Sequence, residues 1–349
     1  MHNGLRIAIV AGGNSIHTIR WVNWLKRKGH TVSTFSLKKS ESSTYFGPAP
    51  RLDRSLILNL GGRIRKTASL LQNLIDDFRP DLVHGFFMTN HGFYASRIRN
   101  YPVIVTAMGS DVLVHPERSR LLSGIVRKTA KKAVAVVCPP LLVEKLEEMG
   151  VERNKIHPHL IGIDTELFKP LKKKDMVLFS RGFKEVYNPS VVADAIGIVH
   201  SKNPAINFCL AGDGPLKEDI ESKLKDFNVD FTGQLSEESL AEIMGQSKIV
   251  ISPSLSDSIP LTAFEAMACG SILIASDIPA HRQWDSMGYP IVFFDPHDSG
   301  MLSEYILKSW HDENLLDAAI TAGPEIVKLN WNWNQQAEEI LKIYDRVIG

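Results

Sequence analysis

Residues 249–276 read IVISPSLSDSIPLTAFEAMACGSILIAS, and they show in one stretch the pattern that is repeated along the chain. The apolar run IVISP (249–253) predicts a strand, the small and apolar residues before Gly270 predict a helix, and SILIAS (271–276) predicts the next strand. A fully apolar strand, a helix and another apolar strand are typical of a parallel sheet that is covered on both faces.

The same alternation extends in both directions from this stretch. Further strands are predicted at 5–10, 31–36, 81–85, 102–107, 133–138, 176–180, 206–212, 229–233 and 290–294. A polar, Lys-rich segment with a proline, 160–176, interrupts the rhythm. The sequence therefore predicts an α/β protein with two doubly wound Rossmann-like domains facing across a cleft. We expect an N-terminal domain at 1–168, a C-terminal domain at 169–330, and a last helix at 331–349 that packs back toward the first domain.

Composition points to an ordinary globular protein, with 44% apolar and 23% charged residues. Cys138, Cys209 and Cys269 are far apart and lie in or beside apolar runs, so buried, reduced thiols are expected. Because the sequence has no CxxC spacing and no Cys/His cluster, no metal site is predicted. The apolar run near the start is too short for a signal peptide or a membrane span, so we expect a cytoplasmic protein.

Charge is distributed unevenly between the two halves. Residues 1–170 contain 25 Lys and Arg against 13 Asp and Glu, whereas residues 171–349 contain 15 against 26. Much of the excess lies in RIRKTASLLQNLI (63–75) and ERSRLLSGIVRKTAKKAV (117–134), where basic and apolar residues alternate at helical spacing. Two interpretations stay open, an anionic membrane surface and a solvated helix face. Nucleic acid is not expected, because these stretches lack interleaved aromatic residues.

Several local features suit a phosphate-bearing ligand, although the dinucleotide and P-loop fingerprints are both missing. Gly13 follows the first predicted strand and leads into Ser15, so backbone amides at a helix start would face the ligand edge of the sheet. In SRGFKEVYNPS (180–190), Arg181 and Lys184 precede a helix that Asn188 could cap and Pro189 could begin. Two cations at this place form a possible diphosphate clamp, with local ion pairing as the alternative.

Two carboxylates, Asp257 and Glu265, flank the turn that enters the helix of the opening stretch. Asp257 or Ser258 could cap this helix, Pro260 lies in its first turn, and Gly270 ends it. Two interpretations remain for the acids. In the first, Asp257 caps the helix and Glu265 faces the solvent. In the second, both carboxylates bind the hydroxyl groups of a nucleotide sugar.

These segments resemble the retaining glycosyltransferases of family 4, which have the GT-B fold. The resemblance covers nearly the whole chain, and its marker is DSIPLTAFEAMACGSILIASD (257–277), a D-x7-E form of the family's E-x7-E element. It implies that Glu265 accepts the ribose hydroxyls and that Asp257 approaches the transferred sugar. The remaining donor-binding residues that it implies are Arg181, Gly212, Gly214, Gln234, Leu235, Ile259, Pro260, Leu261 and Thr262, and the local features above add Gly13 and Lys184.

Two positions depart from the family pattern. The family often has an Arg and a Lys six residues apart on the diphosphate; Arg181 matches, but Tyr187 occupies the second place, and Lys184 is expected to substitute. The T-x-H-G context of the first domain is replaced by TAMGSD (106–111), which puts Met108 at the histidine position.

Other side chains could replace that histidine. Asp111 is a catalytic candidate beside Arg181, Lys184, Asp257 and Glu265, with a helix cap as its alternative. We expect His17, Arg20, His84 and His91 to bind the acceptor.

By this resemblance the chain transfers a sugar, with retention, from a nucleoside diphosphate sugar to a glycan, lipid-linked or polysaccharide acceptor. The nucleotide sugar is a co-substrate, and no metal or other cofactor is expected, because Arg181, Lys184 and helix-terminal amides would carry the charge of the leaving diphosphate. Polysaccharide biosynthesis at the inner face of the cell membrane would fit. Two other readings stay open, a sugar-nucleotide epimerase on the same architecture and a catalytically degenerate subunit that binds the nucleotide sugar without turnover.

Overall fold

The computed structural model describes residues 4–47, 57–159 and 162–349. The chain divides into two compact units. Unit 1 comprises Met1–Leu160 together with Ala337–Gly349, and unit 2 comprises Ile161–Gln336. The sequence pattern puts the corresponding boundaries at 168/169 and 330/331.

Unit 1 contains a seven-stranded parallel sheet with the strand order β3-β2-β1-β4-β5-β6-β7. Its strands are β1 (Arg6–Val10), β2 (Thr31–Ser36), β3 (Thr44–Tyr45), β4 (Leu82–Phe86), β5 (Val103–Thr106), β6 (Ala135–Cys138) and β7 (Ile156–Pro158). The order reverses at β1, which pairs with β2 on one side and with β4 on the other, so Val10 lies between Phe35 and Gly85. β3 and β7 are short edge strands that the sequence did not predict.

Helices cover the sheet of unit 1, and its apolar strands β1, β4, β5 and β6 are mostly buried. The helices are α1 (Ile16–Arg27), α2 (Ile57–Phe78), α3 (His91–Ala95), α4 (Ser110–Leu113), α5 (His115–Arg118), α6 (Arg120–Lys132) and α7 (Val143–Glu148). Ser15 occupies the N-cap position of α1, although its side chain makes no capping hydrogen bond, and Gly29 follows the end of the helix with φ +89°. No helix among the described residues is long and apolar enough to cross a membrane.

Unit 2 contains a six-stranded parallel sheet with the order β10-β9-β8-β11-β12-β13. Its strands are β8 (Lys174–Phe179), β9 (Asn207–Ala211), β10 (Val229–Gly233), β11 (Ser247–Ser252), β12 (Ile272–Ser276) and β13 (Ile291–Phe294). The helices are α8 (Pro189–Lys202), α9 (Lys217–Leu224), α10 (Glu237–Gln246), α11 (Leu261–Ala268), α12 (Pro279–Arg282), α13 (Ser299–Trp310), α14 (Glu313–Asn330) and α15 (Trp333–Ile348), whose residues from Ala337 onward belong to unit 1.

Two parallel α/β sheets confirm the predicted fold class, and the predicted strands lie within three residues of the observed ones. The opening stretch forms β11, α11 and β12, with β11 and β12 paired in parallel. Gly270 ends α11 with φ +61°. The predicted cap of this helix is wrong, because Pro260 occupies the N-cap position and neither Asp257 nor Ser258 caps the helix. All three cysteines are buried and free.

Candidate functional site

The candidate site lies at the carboxyl edge of the sheet in unit 2. The strands β8, β9 and β10 are neighbours and end at Phe179, Ala211 and Gly233, so the loops that follow them meet at one edge. Ligands of doubly wound sheets bind at this edge. A pocket of about 360 Å³ lies there, and it is lined by Ser180, Arg181, Gly182, Lys184, Ala211, Gly212, Asp213, Gln234, Leu235 and Leu240.

Two glycines let the loop after β9 approach the loop after β8. Gly212 has φ +148° and Gly214 has φ +159°, in a region that side chains rarely adopt. A Cβ on Gly214 would lie 2.5 Å from the Phe183 carbonyl oxygen, and a Cβ on Gly212 would overlap the Arg181 carbonyl. The turn of Gly212 and Gly214, which the resemblance placed at the donor, therefore requires both glycines for backbone packing. It forms one wall of the pocket.

Arg181 is held on three sides. Its Nη2 donates to Asp257 Oδ2 at 2.6 Å, and its Nη1 donates to Thr262 Oγ1 at 3.3 Å. Its guanidinium carbon lies 4.2 Å from the centroid of the Tyr187 ring, which is a cation–π contact. Tyr187, which occupies the second of the two family positions, thus supports Arg181, which occupies the first.

Lys184 and Asn188 occupy the rest of the loop after β8. Lys184 is exposed and lines the same pocket as Arg181, so two cations share it. Asn188 is the N-cap residue of α8, and Pro189 begins that helix as expected. The Asn188 side chain does not cap the helix, because its Nδ2 donates to the Pro296 carbonyl at 2.7 Å.

The two acids of the marker segment have different surroundings. The Asp257 carboxylate accepts from Arg181 and, through Oδ1, from the Ser258 amide at 2.8 Å. Glu265 is buried, with 9% exposure, and lies in α11. Thr262 and Glu265 are three residues apart, which places them on the same side of the helix. Since Thr262 contacts Arg181, Glu265 lies on the side of α11 that carries this contact.

Ile259, Pro260 and Leu261 complete the marker segment. They lead from Asp257 into the first turn of α11, with Pro260 buried and the other two half-buried. The Ile259 carbonyl accepts from the Leu261 amide at 2.9 Å, which tightens the turn.

The sequence reasoning missed a buried histidine below this turn. His281 in α12 pairs through Nε2 with Ser252 Oγ at 3.1 Å and through Nδ1 with the Ser276 carbonyl at 2.8 Å. Burial lowers the pKa of His281, so the ring is neutral at pH 7 and Nδ1 donates to the carbonyl. It ties together the end of β11, which precedes the marker segment, and the end of β12, which lies within that segment. The signal for it in the sequence is its place directly after the predicted strand 271–276.

In unit 1, Gly13 lies at the carboxyl edge of the sheet, after β1. Its amide donates to Ser36 Oγ at 3.4 Å, and its carbonyl accepts from Ser42 Oγ at 2.7 Å. A Cβ on Gly13 would overlap the hydroxyls of Ser40 and Ser43. This glycine is therefore required by the close packing of two loops.

Asp111 is fully buried, and its carboxylate binds three backbone amides. Oδ1 accepts from Met108 at 3.0 Å and from Gly109 at 2.8 Å, while Oδ2 accepts from Met88 at 2.7 Å. Burial raises the pKa of Asp111 to about 6, against the lowering effect of these hydrogen bonds. The structure thus places the catalytic candidate as an anchor of the loops that follow β4 and β5.

The histidines proposed for the acceptor have partners inside unit 1. His84 is buried, with Nδ1 at 2.5 Å from Tyr344 Oη and Nε2 at 2.7 Å from Thr106 Oγ1. Burial lowers its pKa to about 3. His91 Nε2 accepts from the Leu37 amide at 3.2 Å, and burial, aided by the charge of Lys38, lowers its pKa to about 4.

His17 and Arg20 are half-buried on α1. The structure thus brings five donor-site candidates of unit 2 together around one pocket: Arg181, Lys184, Gly212, Gln234 and Leu235. Arg181 connects this pocket to Asp257 and Thr262 of the marker segment, whereas Glu265 is not among its lining residues. The acceptor candidates are distributed over α1, β4 and α3 of unit 1.

The comparisons with known proteins assign both parts of the chain. The family model "Glycosyl transferases group 1" matches residues 163–326, and the model "Glycosyl transferase 4-like" matches residues 6–139. The fold and the site define a GT-B enzyme that uses a nucleotide sugar. The chain belongs to the family 4 glycosyltransferases, which favours the transferase over the epimerase reading.

Relatives and solved structures agree with this assignment. The phosphatidyl-myo-inositol mannosyltransferase of Mycobacterium tuberculosis is 22% identical, over 97% of this chain and 94% of its own length. The N,N'-diacetylbacillosaminyl-diphospho-undecaprenol alpha-1,3-N-acetylgalactosaminyltransferase of Campylobacter jejuni is 25% identical, over 80% of each chain. The structure of Anabaena HepE in complex with UDP and glucose matches with a TM-score of 0.78 and 13% identity, over 98% of this chain and 100% of that chain.

Proposed function

We propose that this glycosyltransferase transfers its sugar with retention, without a metal ion, to a lipid-linked or polymeric glycan acceptor. The pocket after β8, β9 and β10 carries the proposal, because it combines two cations, a glycine turn and the loop of Gln234 and Leu235 in about 360 Å³. That volume lies in the usual range for small-molecule sites. Gln234 and Leu235 would meet the base, Glu265 the ribose, and Arg181 with Lys184 the diphosphate.

Charge stabilisation would be the main contribution of the protein to the reaction. As the bond from the anomeric carbon to the diphosphate oxygen breaks, negative charge develops on the leaving group. Arg181 and Lys184 line the pocket and would stabilise this charge directly, which is the basis for proposing a metal-independent reaction. The acceptor oxygen would bond to the anomeric carbon on the same face, and its proton would pass to the leaving phosphate oxygen.

Asp257 would have two roles in this mechanism. Without a ligand it neutralises Arg181 at 2.6 Å. When a diphosphate is bound, the guanidinium would be shared between the phosphate and Asp257, because its remaining N–H groups can still donate. The carboxylate would then keep Arg181 in place while it approaches a hydroxyl of the transferred sugar.

The proposal for the acceptor rests on charge and on the relatives. Residues 1–170 have 12 more basic than acidic side chains, which suits an acceptor presented at an anionic membrane surface. The names of the two relatives above also contain lipid-based acceptors, phosphatidyl-myo-inositol and a diphospho-undecaprenol glycan. We therefore propose peripheral association with the inner face of the cell membrane.

Ligand-dependent thermal stability tests the donor site first. UDP, GDP, ADP and their sugar conjugates are compared on the wild type, on Glu265→Ala and on Glu325→Ala, a control at an exposed position of α14. A ligand at 100 times its dissociation constant adds about 2.7 kcal/mol to the unfolding free energy. We expect one nucleotide to stabilise the wild type and the control but not Glu265→Ala. Equal stabilisation of all three proteins would remove Glu265 from the donor site.

Product analysis then tests the chemistry. With the identified donor and lipid-linked acceptors, the anomeric configuration of the product is read by NMR, and the rate is measured with and without EDTA. Retention and an unchanged rate are expected. An inverted product or a rate abolished by EDTA contradicts the proposal, whereas nucleotide binding without turnover on any acceptor supports the degenerate subunit instead.

A further inference from the structure

A second large cavity lies in unit 1, away from the carboxyl edge of its sheet. It is a groove of about 720 Å³ between α2, the turn after α3 and the end of α6. The residues 96–99 precede β5, and Lys132 precedes β6, so the groove lies toward the amino ends of these strands. Nucleotides and substrates of such sheets bind at the opposite, carboxyl edge. The groove is therefore separate from the edge at which catalysis is expected.

The lining of this groove is strongly basic. It includes Arg65, Arg97, Arg99 and Lys132, and it contains no Asp or Glu. Ser69 and Asn73 add neutral polar groups from α2. The two basic stretches that the sequence singled out, 63–75 and 117–134, thus contribute to one concave surface, to which the turn after α3 adds two further arginines.

Arg97 is fixed in place before any ligand binds. Its Nη1 donates to the Phe93 carbonyl at 2.6 Å, and its guanidinium carbon lies 3.3 Å from the centroid of the Phe93 ring. Arg97 is half-buried, so its cation is partly removed from water, and this burial lowers its pKa. Among the described residues no carboxylate forms an ion pair with it. A fixed, partly desolvated guanidinium favours an anionic partner.

The turn that carries Arg99 is also held in place. Gln72 Oε1 accepts from the Arg99 amide at 2.9 Å, while Gln72 Nε2 donates to Asp76 Oδ1 at 3.0 Å. This fastens the backbone of the turn to α2, and the Arg99 side chain is left exposed. The hydrogen bond between Gln72 and the Arg99 amide therefore sets the distance between α2 and the turn after α3, which are two walls of the groove.

We propose that this groove is a second binding site, which takes a ligand carrying two or more phosphate groups. Three guanidinium groups and one ammonium group on different walls match several phosphates better than one, because each arginine can bind phosphate oxygens bidentately. A soluble oligophosphate and the phosphate headgroups of a lipid share this chemistry. The proposal does not depend on the function proposed for the donor pocket.

Calorimetric titration with tripolyphosphate tests the site. All proteins carry Arg181→Gln and Lys184→Gln, so that the donor pocket does not contribute a competing cation. The pair Arg65→Gln/Lys132→Gln is compared with the pair Arg63→Gln/Lys131→Gln, which removes the same charge from exposed neighbours on α2 and α6 that do not line the groove. All four positions are exposed, so each variant should keep its melting temperature.

Saturable binding is expected in the parent and in the control pair, with dissociation constants that agree within about twofold. The groove pair should bind about tenfold or more weakly, because two charge-assisted contacts are lost. Equal weakening in both pairs would show diffuse electrostatic attraction, and an unsaturable parent isotherm would show that no site exists; either result overturns the proposal.

Vesicles distinguish the two sources of phosphate. Sedimentation of the same proteins with vesicles of equimolar phosphatidylcholine and phosphatidic acid is measured with and without tripolyphosphate. If the parent protein sediments with the vesicles, if tripolyphosphate releases it, and if the groove pair does not sediment, the ligand is a lipid headgroup. Saturable binding of tripolyphosphate without vesicle binding assigns a soluble ligand.

Discussion

The guanidinium of Arg181 and the carboxylate of Asp257 form an ion pair of 2.6 Å, in which each side chain is only 12% exposed. The first residue follows β8 and the second follows β11, and these strands are neighbours in the sheet of unit 2. Thr262 and Tyr187 complete the surroundings of the cation. The pair thus links the loop after β8 to the marker segment, and it makes the two dependent on each other.

Breaking this pair on one side should cost more than removing it from both sides. Arg181→Gln leaves Asp257 largely buried without its cation, so we expect a loss of about 2 kcal/mol in the free energy of unfolding. Adding Asp257→Asn should recover part of that loss. Urea unfolding of the four proteins in a double-mutant cycle gives the coupling energy.

The exposed pair Lys223–Asp194 provides the matched control for this cycle. Its atoms lie 2.5 Å apart, but its side chains are 46% and 49% exposed. We expect a coupling below about 0.5 kcal/mol there, because solvent screens an exposed pair. If both cycles give the same coupling, burial does not strengthen the pair of Arg181.

Tyr187 should support the donor site through its ring rather than its hydroxyl. Tyr187→Phe keeps the ring below Arg181, so the dissociation constant of the stabilising nucleotide should change less than about twofold. Tyr187→Leu removes the cation–π contact and should weaken binding about three- to tenfold. Calorimetric titration measures both, and a larger effect for the Phe variant than for the Leu variant would contradict this role.

Gly214→Ala should damage the donor pocket. The new methyl group would lie 2.5 Å from the Phe183 carbonyl oxygen, at a φ of +159° that alanine rarely adopts. We expect a loss of about 1–3 kcal/mol in unfolding free energy, together with weaker nucleotide binding.

Gly61→Ala is the matched control for this glycine. It changes an exposed helical glycine of α2 that has no atom within 4 Å of the new Cβ. There the substitution should stabilise by about 0.5–1 kcal/mol. A neutral effect of Gly214→Ala would show that the loops after β8 and β9 can separate without cost.

Acid should destabilise unit 1 through its buried histidines. Burial holds the pKa of His84 at about 3 and that of His91 at about 4, below their ordinary value of 6.5. Between pH 6.5 and 4 the unfolded chain therefore binds more protons than the folded chain, and stability falls as the pH falls. Each histidine adds a slope that reaches at most about 1.4 kcal/mol per pH unit, in the middle of this window.

Asp111 acts in the opposite direction. Burial raises its pKa to about 6 from 3.8, so in this range the folded state binds the extra proton and its contribution to stability rises as the pH falls.

Denaturant unfolding between pH 7 and 4 should show a smaller loss of stability in acid for His91→Gln than for the wild type. An exposed control, His311→Gln, should leave the slope unchanged; equal slopes in all three proteins would contradict the role of His91.

Most of the fold was readable from the sequence, because apolar runs and helical patterns record which faces of a segment are buried. The strands 31–36 and 229–233 were predicted with the observed bounds. The short edge strand β3 has only two residues, both exposed, so it carries no apolar signal. The predicted cap of α11 failed for a different reason. An aspartate before a helix has the same sequence signature whether it binds backbone amides or a distant arginine.

The sequence by itself determined two parallel sheets and the loops that carry Arg181, Gly212 and Gln234, since parallel strands bring their carboxyl ends to one edge. Only the tertiary structure decided the partners of the polar groups. Asp257 pairs with a residue 76 positions away, and His84 with Tyr344, 260 positions away. The physical reason is that local periodicity reports burial, whereas the partner of a buried charge or ring nitrogen depends on which distant elements the packing places beside it.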